Sequence, residues 1–164
     1  MEQQLRLIGD LLVRRSWMLT TAESCTGGGV AHAVTSIAGS SRWFERGFVT
    51  YSNLAKQQML GVKAELLQDY GAVSEPVVRA MADGALRNSA AQVSLAITGI
   101  AGPDGGLPGK PVGTVWFAWA VNGRTTSRCL HFTGDRAQVR GQAVQTALAG
   151  ILDILSTTDP DDGV

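Results

Sequence analysis

A hydroxyl, a thiol and three glycines are packed into Thr21-Ala22-Glu23-Ser24-Cys25-Thr26-Gly27-Gly28-Gly29, directly after the apolar segment Trp17-Met18-Leu19-Thr20 and directly before a helical pattern over residues 30–37. A strand that empties into such a turn aims backbone N–H groups at one point, and the start of the next helix adds a partial positive charge. Both favour an anion or a developing oxyanion. Ser24 and Cys25 are adjacent candidate nucleophiles. The thiol is intrinsically the better one and a helix start lowers its pKa, although a small, buried, apolar Cys25 is the simpler reading. The plain alternative for the whole turn is a strand-to-helix connection in which Ser24 or Thr26 caps the helix and the glycines only let the chain bend. Glu23 either orients a ligand hydroxyl, pairs with a cation such as Lys56, or stands solvated where the helix dipole favours it.

Two other segments carry unusual polar groups at the ends of expected strands. Gly47-Phe48-Val49-Thr50-Tyr51-Ser52-Asn53-Leu54-Ala55-Lys56 reads as a β-rich run turning at Ser52-Asn53 into a helix, and it supplies a phenol and an amine. Ala96-Ile97-Thr98-Gly99 is a buried-looking strand that opens into Ile100-Ala101-Gly102-Pro103-Asp104-Gly105-Gly106, a loop too rich in glycine and proline for an ordinary connector. The two histidines, His32 and His131, stand in an expected helix and an expected strand, with no triad spacing around them. With Cys25 and Cys129 they form no metal-ligand cluster, so no metal is expected. Neither G-x-G-x-x-G after a strand nor G-x-x-x-x-G-K-[ST] occurs, which argues against a dinucleotide or nucleoside-triphosphate site.

The motifs Ala22–Gly28, Gly39-Ser40-Ser41, Val49–Lys56, Gly71-Ala72-Val73-Ser74-Glu75, Thr98–Gly106 and Lys110-Pro111-Val112-Gly113-Thr114-Val115, in this order and spanning about residues 5 to 155, resemble the C-terminal domain of the competence-damage-inducible protein CinA. Within that family they are most similar to the stand-alone nicotinamide-nucleotide amidohydrolases. The resemblance implies a catalytic group made of Ser24, Tyr51 and Lys56, with a neutral Lys56 as the base for Ser24 and Tyr51 bridging the two or relaying the proton to the leaving amine. It selects Ser24 over Cys25 as nucleophile. It implies hydrolysis of nicotinamide mononucleotide to nicotinate mononucleotide and ammonia through an acyl-enzyme, in pyridine-nucleotide salvage and without cofactor. Glu23, Cys25, Thr26, Gly27, Gly28, Asn53, Thr98, Gly99 and Arg140 are the residues expected to surround the substrate. Acyl transfer needs oxyanion donors, for which backbone N–H groups near Gly27 and Gly28 or near Thr98 and Gly99 are candidates. Phosphate needs a cation or a helix start, and Gly134-Asp135-Arg136-Ala137-Gln138-Val139-Arg140 offers both, with Arg140 the expected contact. The alternative is a non-catalytic nucleotide-binding or regulatory module, since longer family members fuse this domain to another. A homo-oligomer is implied, for which Trp43, Phe44 and an apolar hairpin offer surface.

These groups need a scaffold, and the periodicity supplies one. The pattern predicts helices near residues 5–15, 28–37, 52–60, 64–70, from Ser74 as N-cap onward, and 135–155. It predicts strands over 17–21, 48–51, 93–100, 113–121 and 125–132, the last two joined at Asn122-Gly123, a strong hairpin signal. Alternating strands and helices imply an α/β three-layer sandwich, a mainly parallel sheet carrying an antiparallel hairpin, with helices on both faces. In such folds sites gather at the carboxyl ends of strands, where Ser24, Tyr51 and Thr98 all fall.

With 164 residues the chain fits one domain able to bury roughly two thirds of its unfolded surface, and a flexible acidic tail is expected over 157–164. Its 14 basic and 14 acidic residues leave no net field for nucleic acid or an anionic membrane. No run approaches the ~18 apolar residues of a membrane span. Two distant cysteines and an N-terminus without a signal-peptide pattern point to a reducing cytoplasm.

Overall fold

Strand and helix faces segregate by residue size, and this decides how the layers stack. The structure, a computed structural model, describes residues 1–158. One five-stranded sheet is built from β1 (Leu19–Glu23), β2 (Phe44–Val49), β3 (Val93–Gly99), β4 (Thr114–Val121) and β5 (Arg124–His131), in the order β2-β1-β3-β4-β5. Every residue of β1 is buried, as are the first six of β3, the pattern of strands covered on both faces. Alternation along the strands sends Leu95, Ile97, Val115, Phe117 and Trp119 to one face and Ala96, Ala118 and Ala120 to the other.

The large-residue face is covered by α1 (Glu2–Arg14), α2 (Gly29–Thr35) and α6 (Arg136–Thr157), through Leu5, Ile8, Leu12, Val34, Leu148 and Ile151. On the alanine face α5 (Glu75–Arg87) fits closely, with Val77, Val78 and Met81 fully buried, while α3 (Asn53–Leu60) and α4 (Ala64–Tyr70) complete that layer. Each such buried aliphatic side chain contributes about 1.5–3 kcal/mol. Contact between α3 and α5 is close enough that a Cβ at Gly84 would overlap the Leu60 carbonyl. Among the described residues no helix is long and apolar enough to cross a membrane.

The expected sandwich is present, with one change of balance. β1 pairs in parallel with β2 and β3, whereas β3–β4 and β4–β5 are antiparallel, so the sheet is evenly mixed rather than mainly parallel. The hairpin turns at Asn122 and Gly123, whose φ values of 51° and 72° suit a primed turn. β2 starts four residues earlier than the pattern predicts and ends before Tyr51. It is an edge strand with half-exposed faces, so it needs no apolar alternation to be stable. β1 is shifted two residues onward and runs through Glu23. Ser74 holds the N-cap position of α5, yet its hydroxyl donates to the Gly71 carbonyl (2.8 Å) instead of capping. Asp135 caps α6 in a reciprocal box with Gln138. Trp43 is buried and therefore gives no surface to a dimer. Thr157 belongs to α6 rather than to a tail, and Asp159, Asp161 and Asp162 lie outside the described residues.

Candidate active site

Because β1, β2 and β3 run parallel, their carboxyl ends lie side by side and deliver Ser24, Thr50-Tyr51 and Gly99 to one edge. Ser24 is the first residue beyond β1. Its N–H donates to the Ile97 carbonyl (3.0 Å), and the chain then folds back so that Gly27 N–H donates to the Ser24 carbonyl (3.0 Å). Gly27 and Gly28 adopt φ of 58° and 97°, a left-handed backbone that residues with a Cβ rarely take, so the glycines are needed for the bend itself.

Lys56 approaches from α3, whose first turn is fixed by the Ser52 hydroxyl accepting from Ala55 N–H (3.0 Å). The lysine is 2 % exposed, the largest fully buried side chain in the molecule's described part. Its Nζ donates to the Thr50 carbonyl (2.8 Å) and meets Ser24 Oγ at 2.9 Å. Both partners are neutral. Burial disfavours the ammonium and holds the pKa below its ordinary value; the nearby Cys25 opposes this to a lesser degree. An amine so placed is suited to accept the serine proton.

Cys25 has the opposite disposition. Burial pushes its thiol up to about 11, outweighing the lowering by its own backbone N–H and by Arg140. The helix start does not activate it, because that start is already filled. Glu23 is 1 % exposed and accepts from Thr26 Oγ1 (2.7 Å), Val30 N–H (2.8 Å) and Ala31 N–H (3.1 Å). The N-cap residue of α2, Gly28, has no side chain to cap with, and the carboxylate five residues upstream takes over. Glu23 is thus neither solvated nor paired with Lys56, and the N-terminus of α2 is not an open anion site.

Tyr51 stands 61 % exposed, with its hydroxyl accepting from Arg136 Nη2 (2.8 Å) instead of bridging Ser24 and Lys56. A second nitrogen of Arg136 donates to the Gly102 carbonyl (2.8 Å), so this one side chain ties α6, the segment after β2 and the loop after β3. Arg140, a turn further along α6, donates from Nε to the Cys25 carbonyl (3.1 Å) and from Nη2 to the Thr26 carbonyl (3.2 Å). It braces the serine turn. Thr98 is buried and donates to the Ala72 carbonyl (2.9 Å). At Gly99 a Cβ would come within 2.8 Å of Val115 and 3.1 Å of Cys25 Sγ, so only glycine lets β3 pass this close to the turn.

Between these parts lies a cavity of about 250 Å³, walled by Ser24, Cys25, Tyr51, the loop from Gly99 to Gly105, and Arg136. The structure therefore gathers Ser24, Cys25, Tyr51 and Gly99 around one space, with Lys56 directly behind Ser24. Glu23, Thr26, Gly27 and Arg140 form the turn's support. Gly28 faces Val49, and Asn53, exposed at the start of α3, lies off the cavity wall. Asp104 on the cavity wall and the Thr50 carbonyl that accepts from Lys56 were not singled out from the sequence; the unusual composition of the loop was the only signal for the first, and nothing marked the second. Among the described residues no group of three or more His, Cys, Asp or Glu side chains is placed to hold a metal ion.

The same mixed α/β sandwich is found in solved structures of known proteins. A crystal structure of a CinA superfamily protein from Klebsiella pneumoniae matches with a TM-score of 0.92 at 41 % identity, covering 96 % of this chain and 98 % of that one. The competence/damage-inducible protein CihA from Agrobacterium tumefaciens matches at 0.91 and 45 % identity, covering 95 % of each chain. The model of the CinA C-terminal domain matches residues 1–155, and the chain belongs to that family. Among curated relatives, the nicotinamide-nucleotide amidohydrolase PncC of Escherichia coli K12 is 59 % identical over 144 residues, 86 % of each chain. The PncC of Pseudomonas putida is 52 % identical over 147 residues, covering 90 % of this chain and 92 % of that protein. A CinA-like protein of Akkermansia muciniphila is 52 % identical over 143 residues that make up 34 % of its length.

Proposed function

We propose that this chain is an amidohydrolase that converts nicotinamide mononucleotide and water to nicotinate mononucleotide and ammonia. The observation that carries the reading is the 2.9 Å contact between Ser24 Oγ and a buried, carboxylate-free Lys56 at the rim of a cavity. Amidohydrolase relatives that match across most of this chain support a nicotinamide nucleotide as substrate.

In this reading neutral Lys56 takes the hydroxyl proton as Ser24 Oγ attacks the carboxamide carbon. Carbonyl electrons move to oxygen. Strand alternation turns the backbone of Gly99 to the same edge as Ile97, which already receives Ser24 N–H, so the Gly99 N–H is available as an oxyanion donor, whereas that of Gly27 is spent on the Ser24 carbonyl. The C–N bond breaks as the leaving amine gains a proton. Tyr51 suits that donation, since its oxygen accepts from Arg136 and leaves its own hydrogen free to point into the cavity. The Lys56 ammonium returns its proton, through water, to the Tyr51 phenolate, and the neutral amine then deprotonates the water that attacks the ester on Ser24; as the carboxylate leaves, Ser24 regains its proton from Lys56. The pyridinium ring withdraws electrons from its carboxamide and eases the attack.

Ammonia release from nicotinamide mononucleotide by purified, chelator-treated protein is the test. Turnover that survives chelation in wild type and vanishes in Ser24→Ala is expected. A protein that binds the nucleotide without releasing ammonia would instead be a binding or regulatory module.

A further inference from the structure

Two side chains on the cavity wall carry opposite charges and do not neutralise one another. Arg136 donates only to neutral oxygens, the Gly102 carbonyl and the Tyr51 hydroxyl. Asp104 lies two residues beyond Gly102 on the same loop and lines the same cavity, yet among the described residues its carboxylate makes neither a hydrogen bond nor an ion pair. Opposite charges on the wall of one cavity ordinarily meet when their side chains are free to do so. Here the guanidinium is tethered at two points, and it and the untethered Asp104 carboxylate line one space containing Ser24. Such a wall complements a ligand that itself bears both signs.

We infer that Arg136 and Asp104 are specificity-determining residues, Arg136 receiving the phosphate and Asp104 the pyridinium cation of a zwitterionic nucleotide whose carboxamide is presented to Ser24. The inference rests on the proposed deamidase reading and deepens it. It also separates the two arginines of α6: Arg140 is committed to the carbonyls of Cys25 and Thr26, and Arg136 is the cation on the cavity wall. The guanidinium spends one N–H on the Gly102 carbonyl and one on the Tyr51 hydroxyl, so further N–H donors remain for phosphate oxygens while Tyr51 stays oriented, and such charge-assisted bonds are the stronger ones. Asp104, being exposed, gives a weaker and salt-screened contribution.

The two halves of the ligand allow separate tests. Dissociation constants would be measured by calorimetry in a Ser24→Ala background, where binding is read without turnover, for nicotinamide mononucleotide, for the phosphate-free riboside and for ribose 5-phosphate. Arg136→Gln should weaken the mononucleotide and ribose 5-phosphate by about tenfold or more and leave the riboside within twofold, with Arg136→Lys recovering part of the loss. Asp104→Asn should weaken the mononucleotide and the riboside by about threefold to tenfold and leave ribose 5-phosphate within twofold. Equal losses for all three ligands in either variant, or no change in any, overturn the charge assignment. Failure of wild type to release ammonia overturns the deamidase reading by itself, and the binding pattern still decides whether these two residues read the two charges.

Discussion

In the proposed reaction Lys56 concentrates the chemistry in a single protonation state. Its amine is useful only when neutral, and burial has moved its pKa down from that of a free lysine. kcat/KM for ammonia release should therefore rise with pH through an apparent pKa below ~10.4, the value of an unperturbed lysine. Lys56→Met should remove that limb and lower kcat/KM by about 10²–10⁴-fold, the usual worth of a positioned base. The same shift has a stability consequence. Between the depressed folded pKa and that of the unfolded chain, the unfolded chain holds more protons, so stability rises with pH across that interval. Lys56→Met should abolish the slope and make the fold more stable at neutral pH, as denaturant titrations at several pH values would read. Cys25→Ala should keep most activity, because a thiol raised to about 11 is scarcely ionised near neutrality.

At the scale of elements, the serine turn is held from below by Glu23 and from outside by Arg140, and neither needs to touch substrate. Glu23→Gln exchanges a carboxylate that caps α2 for an amide whose NH₂ opposes the helix N–H groups. It should cost about 1.5–3 kcal/mol in denaturant unfolding, and kcat should fall with the loosened turn. Arg140→Ala frees the carbonyls of Cys25 and Thr26 and should lower kcat alike for the nucleotide and its riboside; a loss confined to KM of the nucleotide would return the phosphate to Arg140. Much of this layer was legible in the chain. Asn122-Gly123 declared the hairpin and Gly27-Gly28 the bend, since each position requires a positive φ. The edge strand β2 was misplaced because half-exposed Glu45, Arg46 and Gly47 carry no apolar period. Glu23 was read locally, while its role depends on a backbone that returns seven and eight residues later. The bond between Arg136 and Tyr51 spans 85 positions, a separation at which only the folded topology brings partners together.

Over the whole molecule, the proposed catalysis needs two layers in register across the sheet: the proposed base Lys56 arrives on α3 from the alanine face, and Arg136 and Arg140 arrive on α6 from the other. Gly84 is where α5 admits α3. Gly84→Ala would drive a methyl into the Leu60 carbonyl, and since backbone cannot yield as a side chain can, α3 must move and carry Lys56 with it. A loss of about 1–3 kcal/mol in unfolding free energy is expected, together with a lower kcat although residue 84 is far from the substrate. The parallel run of β2, β1 and β3 gives all these parts one meeting point, which the alternation of strands and helices already implied; the even split of the sheet was hidden because register and direction are settled by partners distant in sequence. The proposed hydrolysis passes through a covalent bond to Ser24. Acid-quenching wild-type protein during turnover of nicotinamide mononucleotide and mapping peptides by mass spectrometry should find the nicotinoyl nucleotide esterified to Ser24, absent from Ser24→Ala and retained in Cys25→Ala. An adduct on Cys25, or turnover with no adduct in any variant under conditions where acylation outpaces hydrolysis, would contradict it.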